Sequence, residues 1–316
     1  MAVGVAGAGF LGIALETAAA PGVWVTPAKW IPIESESLKH TQATVWRRPI
    51  QGIVDVRGGV AGDSHVAGDI TMEVLEDAMP YFLYASRTTG VRSGTTPNFT
   101  YSFTPSAAAV PARTCSITVI RNGLAFAYVG CVVSSSRYTI DGGLLKVTFS
   151  IMGMQELTQA GPFTPGYGTV QPFGAGQYNI QIPTATQVFD CDGFDLAIED
   201  NAAPQQRLQN LGSRAQFITY GERSVGLTTT RDFQSRAEYD AFKALTASSL
   251  TLVATKGVNN SIQFDLPVTV KSDYTVGLSG QGDLLRASTE FMGIFDSTTN
   301  KSYGITLKCQ EDVVPA

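Results

Sequence analysis

Apolar residues recur at every second position along much of the chain. Leu145, Val147, Phe149 and Ile151 point one way, and Lys146, Thr148 and Ser150 the other. That period of two predicts a strand with one wet face. A later stretch repeats the pattern, with Leu285, Ala287 and Phe291 in the apolar row and Arg286, Ser288 and Glu290 in the polar row. Identities accompany it: Leu144-Leu145 and Met152-Gly153 recur as Leu284-Leu285 and Met292-Gly293 at one constant spacing. Upstream, VVSSSRYTI (132–140) aligns with VTVKSDYTV (268–276) through Val132/Val268, Ser136/Ser272, Tyr138/Tyr274 and Thr139/Thr275. The spacing changes between the two alignments, and the insertion GLSG after the second stretch absorbs the change as a loop. CSITVIRNG likewise parallels LTLVATKG. Asn122-Gly123 predicts a two-residue hairpin turn, since both residues tolerate positive φ; the second copy has the longer turn KGVNNS. The pattern reads as a mainly β chain made of one unit copied and joined.

Each half also carries one helix candidate. Residues 235–247 open with a capping box, Ser235 as N-cap and Glu238 three positions on, and continue with Ala241, Phe242 and Leu245 as an apolar face. Residues 71–85 place Leu75, Ala78, Met79 and Phe82 on one face, with Pro80 kinking or starting the helix. After the first helix comes a long loop, residues 86–113, with little counterpart in the second half. A Gly/Pro-rich run, residues 161–178, reads as the linker between the halves.

Composition sharpens this picture. A length of 316 residues suggests about two domains. Charged residues make up only 16%, against roughly 25% in an average soluble domain, which suits a chain that hides surface in a sandwich, a barrel or an assembly. Net charge is −5, and the one tight basic pair is Arg47-Arg48. A protein that grips nucleic acid needs clustered cations, so gripping DNA is disfavoured while passive contact stays open. The cysteines at 115, 131, 191 and 309 lack C-x-x-C spacing, and the histidines are His40 and His65. No zinc site is implied, and the thiols read as free and buried in a reducing compartment. The N-terminal apolar run has no basic residue before it and meets Glu16 at once, so it is read neither as a signal peptide nor as a membrane span.

Motifs that look chemical fail on context. Gly7, Gly9 and Gly12 fit G-x-G-x-x-G, with Glu34 placed for a ribose, but a dinucleotide site needs a strand before, a helix after and a parallel α/β domain around them. A glycine-rich arm is the better reading. DCDGFD (190–195) lacks the glycine and glutamate positions of an EF-hand and reads as a solvated turn. No catalytic triad or carboxylate pair stands out, and no enzyme, cofactor or metal is expected. Trp24, Trp30 and Trp46 cluster early, as a binding anchor or as core packing.

The order of several segments resembles the tail tube proteins of long-tailed, siphovirus-type bacteriophages. Ile198-Glu199-Asp200-Asn201 ends a strand, a polar loop and strand follow, then Gly221-x-Arg223-x-Val225, a strand and the helix from Ser235. The opening, ETAAAPGVWVTPAKWIPIESESL, resembles the family's Glu-Thr arm leading into an I-P-I-x-S-x-S strand. The resemblance implies two tandem tail-tube-type β-sandwich or part-barrel units, each with one flanking helix, at residues 31–160 and 179–316 behind an arm at 1–30. It implies rings whose inner strands form a continuous β-barrel, stacked into a virion tube assembled in the host cytoplasm. Units in such rings number six, so a two-unit chain is expected to form a pseudo-hexameric trimer. Implied partners are the chain itself, a tape measure protein, a tail terminator, tail tip proteins and double-stranded DNA in passage along a neutral-to-acidic lumen; no membrane is implied. Ring contacts are expected at Trp24, Trp30, Thr89, Arg92, Tyr101 and Phe103. The competing readings are a two-domain β-sandwich adhesin of a tail tip and a nicotinamide enzyme. Ring formation, glycan binding and cofactor protection against unfolding are their respective signatures.

Overall fold

A computed structural model describes residues 9–313, except Pro49, residues 51–54, Arg57, Ala160, Pro162, Ala175, Phe189, residues 208–213 and residues 278–283. Gly7 of the glycine motif and most of the GLSG insertion lie outside the described residues. In chain order the elements are β1 (Phe10–Leu15), β2 (Lys29–Ile31), β3 (Ser35–Glu36), β4 (Lys39–Arg47), β5 (Gly58–Glu73), α1 (Met79–Tyr84), β6 (Thr88–Thr95) and β7 (Asn98–Pro105). β8 (Cys115–Arg121), β9 (Leu124–Asp141), β10 (Leu144–Gly153), β11 (Gln155–Gln159), β12 (Tyr178–Gln181), β13 (Gln187–Val188) and β14 (Cys191–Glu199) follow. The rest are β15 (Ala203–Gln205), β16 (Phe217–Thr219), β17 (Ser224–Asp232), α2 (Ala237–Lys243), β18 (Ser248–Thr255), β19 (Ser261–Gly277), β20 (Arg286–Gly293) and β21 (Gly304–Cys309).

One long antiparallel sheet runs β4-β5-β10-β9-β14-β17-β20-β19. Its strands alternate as the sequence predicts; β10 alternates half-buried and buried residues along its whole length. β9 and β19, the longest strands, each leave this sheet and enter a second one. β9 pairs there with β8 and β11, β8 in turn with β1, and β1 with β2. β19 pairs with β18 and with β21, which continues into β7 and β6. The packed faces of both halves share one apolar core, from Leu11 to Val313. Phe82 of α1 stacks on Phe149 at 4.4 Å between ring centroids. The described strands do not close on themselves, so no closed β-barrel forms within one chain, and the fold is mainly β with open antiparallel sheets.

The predicted hairpin at Asn122-Gly123 forms, with φ of 50° and 78° at the two residues. The ladders correct the upstream alignment. β9 skips Ser134 at a bulge opposite Ser150/Ile151, and β19 skips Ser272 opposite Glu290/Phe291. With Ser150 matched to Glu290, Ser134 therefore answers to Ser272 and Ser136 to Tyr274, two residues further on than the identities suggested.

The helices are shorter than expected. Residues 71–73 continue β5 against β10, and α1 begins only at Met79, with Pro80 in the first turn, where its missing N–H costs nothing. The capping box does not form. Arg236 is the N-cap without a side-chain bond, and Glu238 turns to Arg231 at 2.6 Å and Lys271 at 3.0 Å. Two charge-assisted contacts outweigh one bond to a backbone amide. The apolar face assigned to α2 is not buried either; Leu245 is 65% exposed. Residues 86–113 are no open loop, since β6 and β7 form a hairpin whose second strand pairs with β21. Within the linker, Phe173 is fully buried.

The arm is folded as well. β1 lies between β2 and β8, and directly after it the buried Glu16 accepts four hydrogen bonds. The donors are the amides of Gly22 (2.7 Å) and Gly130 (2.8 Å) and the hydroxyls of Thr114 (2.6 Å) and Ser116 (2.8 Å). Gly130 adopts φ +64°, and a Cβ there would meet Met154 Sδ at 2.4 Å. Removing the carboxylate strands buried donors that cost about 1–3 kcal/mol each unless they re-pair. Glu16→Ala is expected to lower unfolding free energy by about 3 kcal/mol or more in urea titration.

Candidate functional site

The long sheet turns one face to the core and presents a polar face on the other side. Facing outward on β5 and β10 are Asp69, Thr71, Glu73, Lys146, Thr148 and Ser150. On β9 and β14 they are Ser135, Arg137, Thr139, Asp195, Ala197 and Glu199. Thr228, Thr230, Ser288, Glu290, Asp273 and Thr275 continue the face across β17, β20 and β19. A shallow depression of about 490 Å³ lies where the halves meet, lined by Asp69, Arg137, Ser150, Asp195 and Glu199 among others.

Three cations of this face, Arg137, Lys146 and Arg286, are neutralised in place. Arg137 binds Asp195 across the β9–β14 seam. Lys146 bridges Glu34 (2.7 Å) and Asp141 (2.8 Å), and Arg286 meets Asp192 at 2.6 Å. Hydrogen bonding to Asp195 raises the pKa of Arg137, and the Lys146 ammonium holds Asp141 below its usual range. Lys39, at the sheet edge, forms no ion pair among the described residues. Asp69, Glu73, Glu199, Asp273 and Glu290 form none either, so the face has an acidic excess. Such a surface repels phosphate within about a Debye length, ~10 Å at 0.1 M salt.

The seam joining the halves is a backbone ladder, Asp195↔Thr139 through Glu199↔Ser135. On the core side Tyr138 lies opposite Leu196 and packs on Phe264 at 4.6 Å between ring centroids. The ladder extends past β14: the Asp200 amide donates to the Ser134 carbonyl (2.8 Å) and the Ala202 amide to Ser134 Oγ (3.0 Å). The next residues form a clamp. Arg223 Nε donates to Asp200 Oδ1 at 2.7 Å, and Nη2 donates to the carbonyls of Arg87 (2.8 Å) and Ser106 (3.1 Å). Asn201, at φ 48°, donates to the Glu222 carbonyl at 2.8 Å. Ile198-Glu199-Asp200-Asn201 and Gly221-x-Arg223-x-Val225 are thus two sides of one buried contact.

The family model for phage tail tube proteins matches residues 8–293. The chain belongs to the phage tail tube protein family. No match is found among curated proteins. The tube protein is therefore a structural component of a phage tail. None of its described helices is long and apolar enough to cross a membrane. Its described residues contain no His/Cys/Asp/Glu group able to hold a metal. All of the cysteines are free thiols.

The structure separates the residues expected at ring contacts. Thr89 and Arg92 are exposed on β6, with Arg92 bound to Asp312 at 2.6 Å. Tyr101 and Phe103 are buried in the chain's own core, and the Tyr101 hydroxyl donates to the Glu311 carbonyl at 2.9 Å. They face inward because β7 alternates and its other side is solvated. Trp24 and Trp30 are half-buried against Phe163, and the Trp24 indole donates to Thr118 at 3.2 Å. Trp46 is 60% exposed on β4, apart from the other two. Of the repeated residues, Leu145 is fully buried, Leu144 and Met152 lie at the strand's margin, and Leu284 is exposed ahead of β20. Gly153 and Gly293 occupy matching tight places: a Cβ on either would meet the Cβ of a valine, Val66 or Val225, at 3.1 Å. DCDGFD runs into β14 rather than a turn, and its acids meet Arg231, Arg286 and Arg137.

Burial raises the pKa of Asp200 and Arg223 opposes the rise. Without the guanidinium that pKa climbs further, and an acid whose folded pKa is raised loses stability as pH rises through the gap. Arg223→Ala is expected to cost about 3 kcal/mol near pH 8 and less at pH 5. Paired denaturant titrations at the two pH values check it.

Proposed function

We propose that the tube protein consists of two tandem units, residues 31–160 and 179–316, and that three copies close into a ring of six units. The rings stack into the tail tube, and the polar face of the long sheet lines a lumen through which DNA passes. The arm and the β6–β7 hairpin supply contacts between rings. Tape measure, terminator and tip proteins are the other partners, and assembly takes place in the host cytoplasm.

One observation carries this reading. The long sheet is the same strand arrangement twice, β4-β5-β10-β9 followed by β14-β17-β20-β19. The bulges at Ser134 and Ser272 and the glycines against Val66 and Val225 fall at corresponding places. Strand arrays that join head to tail generate closed rings when the rotation closes. Closure would also satisfy the open edges at β4 and β19, which a lone chain leaves as templates for pairing. The acidic excess fits a conduit that carries DNA without holding it, because each phosphate contact to a cation adds affinity.

Electron microscopy of assembled tubes is expected to show three-fold rings with pseudo-six-fold density and three chains per ring; true six-fold subunit symmetry overturns the trimer. Converting Glu199 and Glu290 together to Lys is expected to leave tubes intact and slow genome delivery. Unchanged delivery by such virions rejects the assignment of this face to the lumen.

A further inference from the structure

We infer that a second copy of the chain docks residues 40–42 antiparallel onto residues 272–274 of β19, with His40 opposite Tyr274 and Gln42 opposite Ser272. This rests on the tube reading and adds to it the register of the seam between chains. The template is the seam inside the chain. Through the common ladder partners β5 and β17, Ser37 corresponds to Asp195, Lys39 to Ala197 and Thr41 to Glu199. Through β10 and β20, Ser135 corresponds to Asp273 and Arg137 to Thr275. The internal pairs Ile198↔Ser136 and Glu199↔Ser135 then translate into His40↔Tyr274 and Thr41↔Asp273.

Three features of the described residues fit a missing neighbour. The β19 edge beyond Val270 pairs only with β20, and Ser272, at the bulge, is exposed. Its counterpart Ser134 is bound by the Asp200 and Ala202 amides. The helices also differ: all of α1 is buried, while α2 has no buried residue. The end of α1 is covered from the second half, by Tyr220 and by Arg223, which bonds the Arg87 carbonyl. The corresponding cover for α2 would come from the next chain.

The two seams differ chemically. Where Arg137 and Asp195 clamp the internal seam, the external one has Thr275 and Ser37. Lys39 lies instead diagonal to Asp273, within reach for a cross-strand ion pair. The new ladder stops short of Leu38. The amide of Leu38 donates to Glu36 (3.1 Å), and its carbonyl accepts from Arg121 (2.6 Å) and Tyr128 (3.0 Å).

Thr41 and Asp273 would form a pair whose Cα separation, about 4.5–5.5 Å, admits a disulfide. Protein carrying Thr41→Cys and Asp273→Cys is assembled and oxidised, then run without reductant. Bands of two and three linked chains are expected. Glu199→Cys with Ser135→Cys should link within one chain only. If wild-type protein forms no rings in micrographs, the tube reading fails and this inference with it. If rings form but Thr41→Cys with Asp273→Cys stays unlinked, or Thr41→Cys with Thr275→Cys links better, the register alone is overturned. A second measurement does not need disulfides. Asp273→Lys should raise the concentration required for assembly several-fold, and adding Lys39→Asp should bring it back. A double variant no better than Asp273→Lys alone contradicts the pairing.

Discussion

The backbone ladder between β9 and β14 is the constraint on which the rest of the structure depends. It makes one sheet of strands from both halves and so fixes which side of every strand meets the core. A slip of one residue would turn Leu196 and Ile198 outward and bury Asp195 and Glu199. Tyr138 reinforces the register, its ring reaching both Phe149 of the first half and Phe264 of the second. Among the described residues its hydroxyl has no hydrogen-bond partner, a cost of about 1–3 kcal/mol, comparable with what burying a large side chain contributes. The ring therefore acts as a spacer between the halves rather than as a polar anchor.

Much of the fold was legible because alternation is a local signal. Leu145 to Ile151 pointed inward as read, and Asn122-Gly123 turned as read. The misreadings arose where distant residues decided. The identities Ser136/Ser272 and Tyr138/Tyr274 suggested one alignment, yet a bulge consumes a residue without marking the sequence, and the ladders place Ser134 against Ser272. Glu238 had the spacing of a capping residue, but Arg231 and Lys271 come close only once β17 and β19 pair beside it. Phe99, Tyr101 and Phe103 did carry a period of two, hidden among Gly, Thr and Pro residues that looked like loop.

The candidate site was less legible than the fold. The acids of DCDGFD looked solvated because their partners are on other strands. The motif residues Asp200 and Arg223 stood out by their order, and only the folded chain shows why they travel together: a nearly buried carboxylate needs that guanidinium. The acidic balance of the polar face could be foreseen from net charge only in sign. Which acids face outward follows from pairing.

The β9–β14 ladder also has a kinetic meaning. Its two strands are tethered by the segment between β11 and β14, so they meet at a fixed effective concentration, of millimolar order for a flexible tether. Dilution does not weaken that junction. A seam formed by separate chains, in contrast, forms at a rate set by how many subunits are present. In the proposed ring of three chains, each chain would bring one junction already made to every encounter, half of the sheet-to-sheet joins. Growth by such a subunit has fewer steps at which a partly formed edge is left waiting for a partner.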